Sequence, residues 1–291
     1  ARNADVPQSR AMSRAGPGCG VSCITTANMR TMSQNIQQSP YIWDAVGMTA
    51  STDIPPGTQT LARGLAVIRA VADGAGDLRT LVEHTGLGRS TTHRLVQLLV
   101  REDFLRHVDG GYRLGPALIE LGFKALHGNP LPVVARPVLE ELSAQVQDTV
   151  PLGVVDGGSV LYLEKLPGSR GAEMRSRVGH RMPLTRTGVG MALLLDSPDR
   201  WSDTYVADED RVTVPLAGKR GDVAEFCARM AGYAKMGAAM DLEDNEPGIR
   251  CVAAPVRDAS KAIVGAISVS ATRPYMPAAR MRGLVPVVRR A

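Results

Sequence analysis

The sequence predicts a mixed α/β protein of two domains, a small N-terminal domain and a larger α+β domain. Two observations carry this prediction. Between Asp77 and Leu114, two short amphipathic segments are separated by a glycine and followed by alternating apolar and polar residues. From Thr149 onward, the apolar residues recur with the period of strands rather than helices. At 291 residues, the chain is long enough for two domains of ordinary size.

Composition and charge narrow the classes of protein to which the chain can belong. A hydrophobic content of 44% and a charged content of 22% are typical of a globular protein, and no apolar run is as long as a membrane span, so no membrane partner is expected. The net charge of +5 suits a polyanionic partner without requiring one. The four cysteines give neither a disulfide framework nor a zinc set, and the five histidines lack metal-ligand spacing. We therefore expect no metal or cofactor and a cytoplasmic location.

The segment 1–57 has neither a helical nor a strand period. It is rich in Ser, Thr, Gln, Gly and Pro, and it lacks the basic and apolar regions of a secretory signal. Its composition predicts a disordered tail. Because Met48 lies shortly before the first helix, we also consider the hypothesis that translation starts there and that the residues before it are not made.

The N-terminal domain is predicted to begin with a helix from Thr60 to Ala72, whose inward face holds Leu61, Leu65, Ile68 and Val71. Asp77 is a predicted N-cap for a second helix, which Gly86 ends. Ser90 is a predicted N-cap for a third helix. Its inward face is Leu95, Leu98 and Leu99, and its polar face is Thr91, His93, Arg94, Gln97 and Arg101. This order predicts a helix-turn-helix, with an ordinary helical hairpin as the alternative.

A hairpin is predicted directly after these helices. The segments Phe104–Val108 and Tyr112–Leu114 alternate apolar with polar or basic residues, and Asp109-Gly110-Gly111 between them has the composition of a turn. A helix-turn-helix followed by a hairpin is a winged helix, and the second helix of such a motif enters the major groove of DNA.

Two further helices are predicted after the hairpin. The segment from Pro116 to His127 carries a broad apolar surface that needs a partner, and Gly128-Asn129-Pro130 ends it. The next helix is predicted from Pro132 to Val146, with Val134, Val138, Leu139 and Leu142 inward.

The larger domain is predicted to contain a mostly antiparallel sheet with helices. The predicted strands are Val150–Val155, Ser159–Lys165, Glu173–Val178, Gly237–Met240, Ile249–Val256 and Ala262–Ser270. The predicted helices are Gly188–Leu195 and Gly221–Gly232.

Side chains on the last two strands suggest a ligand site. Ser268 and Ser270 are two residues apart, so their hydroxyl groups point to one face, which Cys251 on the preceding strand can share. A small oxyanion or a sugar hydroxyl would satisfy such buried hydroxyls, although nearby backbone groups are the alternative partners. Cys251 has no histidine or lysine beside it, so no enzyme is predicted. The rival hypothesis is an enzyme or thiol sensor centred on Cys251.

The segments Leu87–Leu95 and Gly111–Gly115 resemble the DNA-binding domain of the IclR family of bacterial transcriptional regulators, and the resemblance continues from about Leu61 to Thr272. It implies a DNA-binding regulator, expected to repress a catabolic operon, with a GAF-like effector-binding domain and a homodimeric or homotetrameric assembly on double-stranded operator DNA. The domain boundaries follow as 58–117 for the winged helix, 118–130 for the linker helix and 131–291 for the effector domain. The linker helix is implied to help the DNA-binding domains pair.

The resemblance also implies which residues contact DNA. The side chains expected to read base edges are Thr91, Thr92, His93 and Arg94. Arg89 and Ser90 are expected nearer phosphate, and Arg106 and Arg113 in the wing are expected at the DNA backbone or the minor groove. An alternative role for Arg94 is structural, holding the recognition helix to the hairpin.

The effector pocket implied by the resemblance consists of Gly188, Val189, Asp241, Cys251, Ser268 and Ser270. Gly188 and Val189 would offer backbone N–H groups to an anion. A small organic acid is the expected effector. The segments Arg175–Arg181 and Pro183-Leu184 are similar to those of the family members that sense sugar-acid products such as 2-keto-3-deoxygluconate. Aromatic acids are the alternative effector class. Met191 stands where the family commonly has lysine. The tail after Thr272 departs from the family, which usually ends in a long amphipathic helix.

Overall fold

The computed structural model describes residues 55–170, 174–211 and 222–291, so almost all of the predicted N-terminal tail lies outside the described residues. The N-terminal domain consists of α1 (Gln59–Ala72), α2 (Leu78–Thr85), α3 (Arg89–Arg101), β1 (Leu105–Val108) and β2 (Gly111–Leu114). β1 and β2 form an antiparallel hairpin. The predicted winged helix-turn-helix is therefore confirmed as the fold of this part of the chain.

Local chemistry explains the start and the end of α2. The Asp77 carboxylate accepts hydrogen bonds from the backbone N–H groups of Arg79 and Thr80 at 2.8 and 2.9 Å, and the Thr80 hydroxyl accepts one from the Asp77 N–H. This reciprocal pair is a capping box. Gly86 ends the helix at φ +65°, a left-handed backbone conformation that glycine adopts without strain. The predicted cap and turn are thus confirmed.

The predicted start of α3 is wrong. The helix begins at Arg89 with Gly88 as its N-cap, and no side chain caps it, so Ser90 lies inside the first turn. The hydroxyl of Thr92 donates instead to the Gly88 carbonyl at 3.2 Å.

The buried faces of three helices differ from those predicted. Leu61 and Leu65 of α1 are exposed, and Val67, Ala70 and Val71 fill the core. In α3, Leu98 is 44% exposed and Val96 is buried beside Leu95. Val138 of the helix after the linker is likewise exposed. Apolar residues occur on more than one side of these helices, so the packing of the neighbouring elements decides which side is buried.

Two helices follow the wing, α4 (Pro116–His127) and α5 (Pro130–Val146). α4 has no buried residue, and Ile119, Leu121 and Phe123 are 63%, 49% and 58% exposed. The apolar surface predicted for this helix therefore has no partner within the described part of the chain.

The second domain is built on one antiparallel sheet of six strands in the order β5-β4-β3-β8-β7-β6. The strands are β3 (Val150–Asp156), β4 (Ser159–Leu166), β5 (Arg181–Met182), β6 (Ala239–Leu242), β7 (Ile249–Arg257) and β8 (Ile263–Thr272). The helices are α6 (Gly188–Leu193), α7 (Trp201–Arg211), α8 (Val223–Met236) and α9 (Ala278–Arg290), with short 3₁₀ turns at Pro198–Arg200 and Arg273–Tyr275. The predicted α+β class is confirmed.

Two apolar cores cover the two faces of this sheet. One core joins the sheet to α6, α7 and α8 around Met191 and Met230. The other joins it to α5 and α9 around Leu139 and Met281. No helix in the described ranges is long and apolar enough to span a membrane.

Two predictions about this domain need correction. Residues 174–178 form a loop rather than the predicted strand, and Glu173 lies outside the described residues. Two hydrogen bonds hold this loop: the Arg175 N–H donates to Glu246 Oε2 at 3.0 Å, and Lys165 Nζ donates to the Ser176 carbonyl. The tail does end in an amphipathic helix, α9, which buries Met281, Leu284, Val285 and Val288 and tolerates Pro286 inside it. The predicted helix start at Gly221 also lies outside the described residues.

Candidate functional site

A single pocket in the second domain contains all six residues that the sequence assigned to a ligand site, Gly188, Val189, Asp241, Cys251, Ser268 and Ser270. The pocket holds about 380 Å³ of space not filled by protein atoms, its open side included. Strand register explains the convergence, because Cys251 pairs with Asp241 on one side and with Ser270 on the other. Ser268 lies two residues along β8 from Ser270, and their hydroxyl oxygens are 3.2 Å apart.

The start of α6 closes one side of the pocket. Thr187 is the N-cap of this helix, and its hydroxyl accepts a hydrogen bond from the Gly190 N–H at 3.0 Å. Gly188 lies directly against Cys251, so a Cβ at position 188 would overlap the sulfur. Of the two backbone N–H groups predicted to face an anion, that of Gly188 hydrogen-bonds the sulfur of Cys251, so the anion cradle stays a prediction that depends on Val189.

Cys251 is a protonated thiol in this setting. Burial raises its pKa to about 12, with a further contribution from the Asp241 carboxylate, and hydrogen bonds from the Gly188 backbone, the Asp241 backbone and the Ser270 hydroxyl offset this only in part. No histidine is among the described residues that line the pocket. A nucleophilic cysteine needs a lowered pKa or a neighbouring base, and the pocket therefore suits binding rather than covalent chemistry.

Asp241 has an unusual environment for a carboxyl group. It is 5% exposed, and its Oδ1 accepts a hydrogen bond from the Asp244 N–H at 2.7 Å. The pKa of Asp241 is raised to about 8, mainly by burial and also by the nearby Asp244 carboxylate. The Asp244 and Asn245 N–H groups and Arg229 act in the opposite direction. A protonated carboxyl can donate a hydrogen bond to a ligand as well as accept one.

Sequence reasoning missed the other residues of the lining, which are Pro151, Tyr162, Met174, Ser176, Thr187, Asn245, Glu246 and Ile249. The alternation along β4 was a signal for Tyr162, which is buried and hydrogen-bonds Thr187. Asn245 gave no such signal, because it lies in an irregular loop. No lysine or arginine is found among the lining residues that the structure describes. Met191 is fully buried in the core and does not border the pocket.

The residues predicted to contact DNA fall into two groups. Arg89, Ser90, His93 and Arg94 are exposed on α3, and Thr91 is partly exposed. Thr92 is fully buried, and its hydroxyl donates a hydrogen bond to the Gly88 carbonyl. The prediction that it reads a base edge is therefore wrong.

The wing presents two more of the predicted residues. Arg106 and Arg113 are exposed and directly opposite each other in the register of β1 and β2. Side chains of such a pair project from the same face of a hairpin, so the wing carries two adjacent positive charges.

Comparison with known families accounts for both domains. Residues 60–109 match the family model of the IclR helix-turn-helix domain. Residues 123–291 match the model described as bacterial transcriptional regulator IclR C-terminal.

Individual proteins are also similar along most of the chain. The HTH-type transcriptional regulator XynR of Escherichia coli K12 is 30% identical over 219 residues, which are 74% of this chain and 86% of XynR. The DNA-binding transcriptional repressor YiaJ of the same organism is 30% identical over 231 residues, 77% of this chain and 81% of YiaJ. An IclR homologue from Microbacterium hydrocarbonoxydans, solved in complex with 4-hydroxybenzoate, has a TM-score of 0.62 at 24% identity and covers 79% of this chain and 98% of that one.

Proposed function

The chain belongs to the IclR family of bacterial transcriptional regulators, and on that premise we propose that a small organic acid in the pocket controls its binding to operator DNA. As a family member it is a DNA-binding transcriptional regulator with an effector-binding domain. The observation that carries the proposal is the convergence of six residues from α6, β6, β7 and β8 on one buried polar pocket. A ligand there would bind one arrangement of the domains better than another and so shift operator affinity.

The proposed DNA interface combines α3 and the wing. Thr91, His93 and Arg94 would read base edges in the major groove, and Arg89 and Ser90 would contact phosphate near the start of the helix. Arg106 and Arg113 would contact the backbone or the minor groove beside it. The exposure of these side chains supports these roles.

A sugar acid is the proposed effector class. The hydroxyl groups of Ser268, Ser270 and Tyr162 and the carboxyl of Asp241 offer many hydrogen bonds to a hydroxylated ligand, and few aromatic side chains are present to stack on a ring. Aromatic acids are the second candidate, favoured by the similar protein that binds 4-hydroxybenzoate.

We further propose that the protein represses a catabolic operon from the cytoplasm as a homodimer or homotetramer. Similarity to the repressor YiaJ supports repression rather than activation. The exposed Ile119 and Phe123, four residues apart on one face of α4, support pairing of two chains, because an apolar patch on one helix is stabilised by burial against a partner.

The test is binding of the purified protein to the DNA upstream of its own gene, measured by fluorescence anisotropy across a salt series. We expect a sequence-selective complex whose affinity falls steeply with salt. Arg94→Ala should weaken it at least tenfold, whereas Arg282→Ala, at an exposed arginine of α9, should leave it unchanged. Equal binding to random DNA would contradict the proposed interface.

A further inference from the structure

The turn between β6 and β7, residues 243–248, forms one wall of the effector pocket and contains a buried polar group without a partner. Asn245 in this turn is 8% exposed and borders the pocket. Its side-chain oxygen Oδ1 accepts no hydrogen bond from any described residue. Buried polar atoms in folded proteins almost always have a partner, so this oxygen is expected to accept a hydrogen bond from a molecule in the pocket.

Donors on the same turn are already committed to other acceptors. The Asp244 N–H donates to Asp241 Oδ1, and the Gly248 N–H donates to Glu243 Oε2 at 3.0 Å. The Asn245 N–H also hydrogen-bonds the Asp241 carboxyl. No donor from these groups is left for Asn245 Oδ1.

The charges around this wall favour a hydroxyl donor over a carboxylate. Glu246 and Asp241 line the pocket beside Asn245, and no arginine or lysine is among the described lining residues. Three arginines lie near this turn and are engaged there. Arg229 lies 2.9 Å from Asp244 Oδ2, Arg250 lies 2.8 Å from Glu243 Oε1, and Arg186 donates to the Asp244 carbonyl at 3.5 Å. A ligand carboxylate beside Asn245 would face the amide oxygen of Asn245 and the carboxylate of Glu246, whereas a ligand hydroxyl would donate to them.

We propose that Asn245 is a specificity-determining residue of the pocket, whose side-chain oxygen accepts a hydrogen bond from a hydroxyl group of a polyhydroxylated acid. This inference rests on the effector function proposed above. The hydroxylated end of the ligand faces the turn, and its carboxylate faces the hydroxyl groups of Ser268 and Ser270 on the opposite strand. A site that hydrogen-bonds a ligand hydroxyl discriminates strongly against analogues that lack it, because its own buried polar group is then left unpaired.

The test uses calorimetric titration of the full chain with 2-keto-3-deoxygluconate, gluconate, galactonate and 4-hydroxybenzoate. We expect a hydroxylated acid to bind the wild type and Asn245→Asp, which keeps an acceptor, and to bind Asn245→Leu at least tenfold more weakly. Leu242→Gln is the control, since its side chain is 48% exposed next to the same turn. Without ligand, Asn245→Leu should melt no lower than the wild type, because it removes an unpaired buried carbonyl; a purely structural asparagine would give a lower melting temperature.

Three outcomes would overturn the inference: equal affinity of a sugar acid for Asn245→Leu and the wild type, preference for 4-hydroxybenzoate over all three sugar acids, or failure of all three sugar acids to bind. Operator binding is measured in parallel on the same preparations. If operator binding persists while one of these outcomes occurs, the Asn245 inference is wrong and the proposed DNA-binding function stands. If the wild type does not bind the operator selectively, the proposed function itself is contradicted.

Discussion

At position 188 the pocket depends on the absence of a side chain. A Cβ there would overlap the sulfur of Cys251, on a strand that is hydrogen-bonded on both sides and has little freedom to move. We expect Gly188→Ala to lower the free energy of unfolding by about 1–3 kcal/mol, the usual range for overpacking. It should also weaken effector binding, because the pocket would narrow.

Gly232→Ala is the matched control for this substitution. Gly232 lies inside α8 with no atom within 4 Å of an added Cβ, so alanine there should raise the free energy of unfolding by roughly 0.5–1 kcal/mol. Urea unfolding monitored by circular dichroism measures both variants. Equal stability of Gly188→Ala and the wild type would mean that the contact with Cys251 relaxes without cost.

Asp241 should make stability depend on pH in a defined direction. Its folded-state pKa of about 8 lies above the ordinary value of about 4, so between these values the folded protein holds a proton that the unfolded chain has released. Raising the pH through this window therefore favours unfolding, by about 1.4 kcal/mol per pH unit from this group. The contribution is present at low pH and is fully lost above pH 8.

The Asp241→Asn variant isolates this contribution, since its amide does not titrate. We expect the wild type to lose stability relative to Asp241→Asn as the pH rises from 5 to 7, in urea unfolding measured at each pH. Parallel curves for the two proteins would show that Asp241 is already ionised in the folded state. Groups common to both proteins, including Asp244, Arg229 and Cys251, cancel in the comparison to first order.

The face shared by three strand residues of the pocket was predictable from the sequence, and the position of Asn245 in an irregular turn was not. Ser268, Ser270 and Cys251 share a face because a strand has a period of two, and the structure brings them together. Asn245 lies in a turn whose path depends on the Asp241 and Glu243 side chains, which no local pattern encodes. Thr92 failed as a predicted DNA contact because its β-branched side chain lies on the buried side of α3.

The wing is an element whose contribution to DNA binding can be separated from that of α3. Arg106 and Arg113 lie opposite each other in β1 and β2, and both are exposed. Each phosphate contact contributes about 0.9 to the slope of log affinity against log salt. Replacing both by alanine should therefore reduce the slope by about 2 for each wing that touches DNA, with little change in sequence preference.

This prediction is checked by anisotropy titrations on operator and random DNA at several salt concentrations. Replacement of Arg282 on α9 serves as the control for the loss of positive charge, because it is an exposed arginine of the other domain. An unchanged slope in the double variant would remove the wing from the proposed interface. A loss of preference between operator and random DNA would instead mean that the wing reads sequence.

Element types were easier to predict than the faces that elements bury. The helix-turn-helix, the hairpin and most strands have local signals such as Asp77 and Gly86, and these were found. α9 also has a local signal, apolar residues at 281, 284, 285 and 288, but Pro286 obscured it. The exposed Leu61 and Leu65 of α1 show that a face is chosen by neighbouring elements, which a single helix pattern does not contain.

At the scale of the whole molecule, one buried carboxylate joins segments that are far apart in sequence. The side chain of Asp148, just after α5, has no exposed surface and forms ion pairs with Arg170 and with Arg280 of α9. Arg280 also donates to the carbonyl of Val146 at 3.2 Å. The last helix is thereby fixed to the end of α5 beside the sheet that carries the effector pocket.

Removing this carboxylate should destabilise the effector domain as a unit. Asp148→Ala would leave two partly buried arginines without their common partner, and loss of one member of a buried pair costs about 3–5 kcal/mol. Because Arg170 and Arg280 keep 35% and 26% of their side-chain surface exposed, we expect the lower end of that range.

Glu120→Ala, which removes an exposed pair with Lys124 on α4, should change stability by less than about 0.5 kcal/mol. Urea unfolding followed by the fluorescence of Trp201, which is buried in the effector domain, reports this domain selectively when Trp43 is replaced by phenylalanine. A wild-type midpoint for Asp148→Ala would mean that the apolar contacts of Met281, Leu284 and Val288 hold α9 in place without the ion pairs.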